Sequence, residues 1–361
     1  MDMVKLDGSF GEGGGQIVRT ALALSVITQK PFEIDNIRKG RCSSGLKHQH
    51  LYCVKAFEEL CNAKAEGAEV GSCYLKFFPS ELKPRTLSID IETAGSITLF
   101  LQSIALPCIL AKGKTRIKVK GGTDVAWSMP VDYFKEVFLP QLKRYADIEF
   151  RLERRGYYPK GNGSVDIKIK PKFIFDNRKN APQIELIEQG HLMQIKGVSH
   201  ASIDLEKSNV AERQAKSARS ALLSSSLIAK ADCPINIRSE YCNTLSTGSG
   251  ITLWAIFSKK KDDIDFINPV IIGADSLGEK GKLAEVVGKE AAERLLNEIS
   301  YNAPVDEHLA DNLIPLLGLF GGKIKVAKIS NHALTNIYVV EKFLDVKFEI
   351  DRENRIISCK G

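Results

Sequence analysis

The chain has 361 residues, 43% hydrophobic and 26% charged, with 51 Lys and Arg against 44 Asp and Glu, a formal net charge of +7. That balance excludes a disordered chain and predicts one large domain plus a smaller one, while the basic excess leans towards a polyanionic partner. Eight scattered cysteines with no Cys-x-x-Cys pair exclude a zinc ribbon, and most are expected to be reduced and partly buried.

Asp2, Lys5 and Asp7 interrupt any secretory leader, and the longest apolar run, Ile97 to Ala111, is broken by Gln102, Ser103 and Pro107. A cytoplasmic protein without a membrane partner is expected. In chain order, a glycine-led helix from Gly13 to Ile27 precedes a strand from Pro31 to Arg38, a loop from Lys39 to Gly45, a helix from Leu46 to Cys61 and a strand near Ser72 to Phe78. The pattern returns as a helix from Ala94 to Leu110, a strand from Lys114 to Gly121, a loop from Gly122 to Met129, a helix from Pro130 to Tyr145 and strands at Ile148 to Leu152 and Ser164 to Ile169. A third copy runs through a helix from His308 to Leu319, a strand from Lys323 to Ile329, a loop from Ser330 to Thr335, a helix from Asn336 to Phe343 and strands at Val346 to Ile350 and Arg355 to Cys359.

The expected class is therefore α/β (α+β): three repeated helix–sheet units forming a large domain over 1–187 and 303–361, with a smaller α/β domain inserted at 188–302. Within the insert, Thr244 to Gly250 reads as a flexible hairpin loop, and Lys259-Lys260-Lys261 with Asp262-Asp263 as a solvated turn.

Several stretches can carry chemistry. Gly11 to Gln16 places glycines at a strand-to-helix turn, where backbone N–H groups approach phosphate closely, although neither a Walker loop nor a Rossmann spacing is present. Glu12 among those glycines suits a helix dipole or a divalent ion, and Arg19 two turns on can face the same anion. Arg38, Arg41, Lys47, His48, Gln49 and His50 crowd one loop and helix start, but His48 and His50 cannot share a helix face to bind a metal. Trp127, Met129 and Pro130 offer an apolar wall for a base. His308 and Asp311 are three apart and share a face, and His332 sits where a strand hands over to a helix, beside free backbone N–H groups.

Taken in order, Gly11-Glu-Gly-Gly-Gly-Gln-Ile-Val-Arg19, Arg38-Lys-Gly-Arg41, Gly45-Leu-Lys-His-Gln-His50, Gly121-Gly-Thr-Asp124, His308-Leu-Ala-Asp-Asn312 and His332-Ala-Leu-Thr-Asn336 closely resemble the RNA 3′-terminal phosphate cyclase family over nearly the whole chain. The resemblance implies ATP, a divalent cation (Mg²⁺ or Mn²⁺) and an RNA with a 3′-phosphate end, with His332 carrying AMP before the RNA end is activated and cyclised. It further implies Glu12 as metal ligand, and Arg19 and Arg41 as catalytic clamps on ATP or RNA phosphates. It gives Gln102, Met129, Pro130, His308, Asp311 and Asn312 to the nucleotide, and Arg38 and Gln49 to the RNA. His308 stands where the family often has tyrosine, and Asn312 where glutamine is common. A non-catalytic RNA-binding relative acting in ribosome biogenesis is the alternative, against which His332, Glu12, Arg19 and Arg41 argue. Whether the chain is a monomer or a homo-oligomer stays open.

Overall fold

The structure is a computed structural model describing residues 3–260, 265 and 267–360. Its strands form four four-stranded sheets. The first holds β1 (Val4–Asp7), β2 (Phe32–Asp35), β3 (Lys64–Glu66) and β4 (Leu75–Phe78) in the order β1-β2-β4-β3, with helices α1 (Gln16–Thr28) and α2 (His48–Cys61). The second holds β5 (Thr86–Asp90), β6 (Thr115–Gly121), β7 (Ala146–Arg154) and β8 (Gly163–Pro171) in the order β5-β6-β8-β7, with α3 (Ile97–Cys108) and a composite helix α4. Helix α4 begins at Val131–Tyr133, widens to a π turn at Phe134–Phe138 and ends at Leu139–Leu142. The unit is thus strand, helix, strand, helix, strand, strand. Its first two strands run parallel and the others antiparallel.

The third unit opens with β9 (Ile184–Leu186) and is then interrupted by a separate sheet. That sheet, β11-β10-β12-β13, comprises β10 (His191–Ser202), β11 (Ile235–Cys242), β12 (Ser249–Ser258) and β13 (Val270–Leu277), with helices α5 (Val210–Leu223), α6 (Ser226–Ala231) and α7 (Ala284–Ser300). The unit resumes with α8 (Glu307–Phe320), β14 (Gly322–Lys325), α9 (Asn331–Phe343), β15 (Phe348–Asp351) and β16 (Ile356–Cys359). Its sheet order, β15-β16-β14-β9, is that of the other two units read from the opposite edge.

The leading helices explain how the units share a core. Nearly every residue of α1 from Ile17 to Ile27 is buried, as are those of α3 and of α8 from Leu309 onward, because these helices are apolar all round. Helix α1 lies against α2, α3 and α9, and α9 against α8. Buried polar bonds fix the register: Thr20 Oγ1 donates to Asn336 Oδ1 at 2.8 Å, and Asn336 Nδ2 to the Asp311 carbonyl at 2.6 Å.

Three sequence expectations are corrected. Each unit begins with a strand that periodicity did not reveal, since β1, β5 and β9 span 4, 5 and 3 residues. Helix α9 starts at Asn331 rather than Asn336, because the Ser330 hydroxyl accepts from Ala333 N at 2.9 Å and caps the helix there. The segment Thr244 to Gly250 is no hairpin, since β10 lies between the strands it joins. It is pinned by Lys160 N to Ser246 Oγ at 3.1 Å and Gly248 N to Ser202 Oγ at 3.1 Å. In the basic run at 259–263, Lys261, Asp262 and Asp263 lie outside the described residues. All eight cysteines are free, and no described helix is long and apolar enough to cross a membrane.

Candidate active site

Two helix N-termini converge on His332. Gln16 is the first residue of α1, and His332 lies in the first turn of α9. The imidazole Nδ1 is 2.7 Å from Gln16 Oε1, and Nε2 is 2.9 Å from Glu12 Oε2. Both ring nitrogens thus face an oxygen; with Nδ1–H given to the amide oxygen, Nε2 is the ring atom available for chemistry once the Glu12 carboxylate withdraws. Burial holds the His332 pKa below the ordinary histidine value, assisted by Arg19, Arg41 and His308 and opposed by Glu12. That shift favours the neutral ring.

The glycines bring the backbone this close. A Cβ on Gly15 would stand 1.9 Å from His50 Nε2, so any larger residue would drive α1 and α2 apart. Gly11 has φ +61°, and a Cβ there would meet Thr335 Oγ1 of α9 at 2.3 Å.

Cations surround the same point. Arg41 Nη2 binds Glu12 Oε2 at 3.0 Å and is exposed. Arg19 is half-buried on α1, and among the described residues no carboxylate or other hydrogen-bond acceptor meets its guanidinium. Burial pushes its pKa down to about 10. An unpaired, desolvated guanidinium is costly unless an anion completes it. Arg38 adopts φ 57°, gives Nη2 to the Ser43 carbonyl at 3.3 Å and keeps a buried Nε without a partner. His50 is buried and neutral, accepting from Lys47 N at Nδ1 (3.0 Å) and leaving Nε2 unpartnered.

A second cluster adjoins the first. Gln102 Nε2 donates to Asn312 Oδ1 at 2.6 Å and lies 4.0 Å from Met129 Sδ, while Asn312 Nδ2 donates to the His308 carbonyl at 2.7 Å. His308 is exposed on the first turn of α8, edge-on to Tyr133 at 6.4 Å between ring centroids. Asp311 accepts from Ser330 Oγ at 2.5 Å, so the α8 cluster is tied to the cap of the His332 helix. Burial pushes the Asp311 carboxyl up to about 7. Pro130 is buried at the start of α4, whereas Met129 is half-buried and faces Gln102.

The structure thus brings Glu12, Arg41 and His332 into direct contact, and Gln102, Met129, Asn312 and His308 into one group. Gln49 stands apart: it lies on α2 beside Gly95, and its amide makes no hydrogen bond among the described residues. Gln16, which orients the imidazole, carries no signal of that role in the sequence, where the helix is expected from Gly13; its role shows only once the helix opens at Gln16 and the amide meets Nδ1.

Among the described residues the one clustered set of metal-type ligands is Asp124, Asp132 and His200, all buried. Arg155 already occupies it, with Nη1 3.1 Å from Asp124 and Nη2 2.6 Å from Asp132. A cation there would have to displace a buried guanidinium. Glu12 Oε2 is also engaged, by Arg41 and His332, but these partners are not buried, and Mg²⁺ needs only one or two protein carboxylates when substrate phosphates complete its shell.

Two helix N-termini, an imidazole and an unpaired arginine make the chemistry of an anion-binding site. A family model described as RNA 3′-terminal phosphate cyclase matches residues 10–350. The chain is 45% identical over 354 residues to the RNA 3′-terminal phosphate cyclase of Thermococcus onnurineus, covering 98% of this chain and 97% of that one. It is 45% identical over 349 residues to that of Pyrococcus furiosus (96% and 95%), and 45% over 351 residues to that of Saccharolobus solfataricus (96% and 96%). The chain belongs to the RNA 3′-terminal phosphate cyclase family and is an enzyme of that family.

Proposed function

We propose that the protein uses ATP to convert an RNA 3′-terminal phosphate into a 2′,3′-cyclic phosphate, and that His332 carries the adenylate between them. The supporting observation is the His332 ring, held by Gln16 at one nitrogen, with its other nitrogen beside Glu12 and the unpaired Arg19 nearby. His332 Nε2 attacks the α-phosphorus of ATP, the bond to the β-phosphate oxygen breaks, and pyrophosphate leaves. A 3′-phosphate oxygen of RNA then attacks the same phosphorus, the P–N bond breaks and the imidazole is regenerated. Finally the 2′-hydroxyl attacks the RNA phosphorus, the phosphoanhydride breaks, AMP leaves and the hydroxyl proton passes to solvent. Each step is an in-line displacement, for which positioning and charge neutralisation are the main demands on the protein.

In this reading Arg19, Arg38 and Arg41 neutralise phosphate charge, Gln49 contacts the RNA, and His308, Gln102, Met129, Pro130, Asp311 and Asn312 hold the nucleotide. Residues 1–187 and 303–361 form the catalytic domain, and 188–302 the inserted one. A divalent cation held by Glu12 would spread the negative charge of the ATP phosphates. Because Glu12 Oε2 also faces His332 Nε2, the carboxylate must release that nitrogen before attack. Incubation with ATP, a divalent cation and an oligonucleotide bearing a 3′-phosphate should yield a phosphatase-resistant cyclic end; a terminus left open would refute the proposal.

Two results follow. Glu12→Ala is expected to slow adenylation by about a hundredfold or more, the scale of losing one preorganised electrostatic group. Near-normal rates at saturating Mg²⁺ would remove Glu12 from the metal role. The adenylation rate should also be flat around neutrality and fall in acid. Burial lowers the His332 pKa, so the attacking lone pair survives below the ordinary histidine value, and the acid limb should have its midpoint below 6.5. A midpoint above 7 would mean that a protonated or different group carries the step.

A further inference from the structure

Trp127 is 97% exposed, the most exposed large apolar side chain among the described residues. Its backbone lies at φ 65°, a conformation that bulky L residues rarely adopt. The loop that carries it is nevertheless anchored: Thr123 N donates to the Gly156 carbonyl at 2.9 Å, Val131 N to the Thr123 carbonyl at 3.0 Å, Ser128 Oγ to the Val125 carbonyl at 2.9 Å and Thr98 Oγ1 to the Met129 carbonyl at 2.7 Å. The backbone is fixed and the indole is left in solvent, where no ring or cation of the described residues meets it. Two residues along, Met129 turns inward to Gln102 in the cluster given to the nucleotide.

We infer that Trp127 is a stacking platform for a nucleobase of the single-stranded RNA near its 3′ end. The inference rests on the cyclase reading and adds a substrate subsite to it. A presented aromatic face holds an unpaired base of any identity, which is how single-stranded nucleic acid is generally gripped. An RNA strand must extend outward from the reacting phosphate, and Trp127 is carried two residues from Met129, which meets Gln102 of the cluster assigned to the nucleotide in that reading. The unpaired Arg19 and the excess of basic residues, +7 overall, complement the strand's phosphates.

The chain holds two tryptophans, and the other, Trp254, is 5% exposed, so acrylamide quenching reports on Trp127 selectively. A 3′-phosphorylated oligoribonucleotide added without ATP should protect the quenchable emission, and a non-hydrolysable ATP analogue should not. Trp127→Ala should raise the KM for RNA about tenfold, the scale of losing one stacked base, with the rate of AMP attachment from ATP kept and with Trp127→Phe restoring most of the loss. Protection by the ATP analogue together with a raised KM for ATP would hand Trp127 to the nucleotide and overturn the inference. So would an unprotected indole with an unchanged KM for RNA in an enzyme that cyclises. Failure of the wild type to form any cyclic end would instead overturn the cyclase reading, while the quenching result still decides the stacking.

Discussion

Replacement of His332 by alanine is expected to abolish AMP attachment and ATP-driven cyclisation, a loss of at least about a thousandfold, because the proposed route runs through the imidazole nucleophile. The neighbouring histidines are placed elsewhere. His50 is walled in by Gly15, and His308 belongs to the cluster around Gln102 and Asn312. The same variant should still cyclise a chemically prepared RNA-adenylate, since the final displacement uses the 2′-hydroxyl and not the imidazole. Loss of that activity in a folded His332→Ala protein would assign the histidine a role in the last step as well.

The second large effect concerns stability. Arg155 is 2% exposed and binds Asp124 at 3.1 Å, Asp132 at 2.6 Å and Glu240 at 2.7 Å. Asp124 and Asp132 belong to the second unit and Glu240 to β11, so one guanidinium clamps the separate sheet onto the repeat. Tyr157 OH and His200 Nδ1, 2.8 Å apart, join the two bodies again beside it. Arg155→Ala strands buried carboxylates without a counter-charge and should cost about 3–5 kcal/mol. A loss under about 1 kcal/mol in the unfolding free energy would show that the cluster does not hold the separate sheet onto the repeat.

What could be read from the sequence depended on how local the signal was. Glu12, Arg19, Arg41 and His332 lie in short ordered motifs, and the repeat was visible because the leading helices are long and apolar. The leading strands were not, since three to five residues cannot establish a period of two. The early start of α9 rested on one serine, whose capping role shows only when Ala333 N is seen to meet it. Arg155 was illegible for a different reason: its partners lie 31, 23 and 85 residues away, and each reads alone as an ordinary charge. Asp124 in particular falls in the stretch expected as a loop from Gly122 to Met129, yet it is buried in the clamp.

The central claim is that adenylate passes through His332, and the most direct measurement is to incubate the protein with ATP labelled at the α-phosphate and a divalent cation, denature it, and map the label. Acid-labile, alkali-stable label on the peptide containing His332, discharged by pyrophosphate or by RNA with a 3′-phosphate, is the predicted result. A chain that binds ATP and cyclises RNA while acquiring no label, with pyrophosphate removed as it forms, would contradict it.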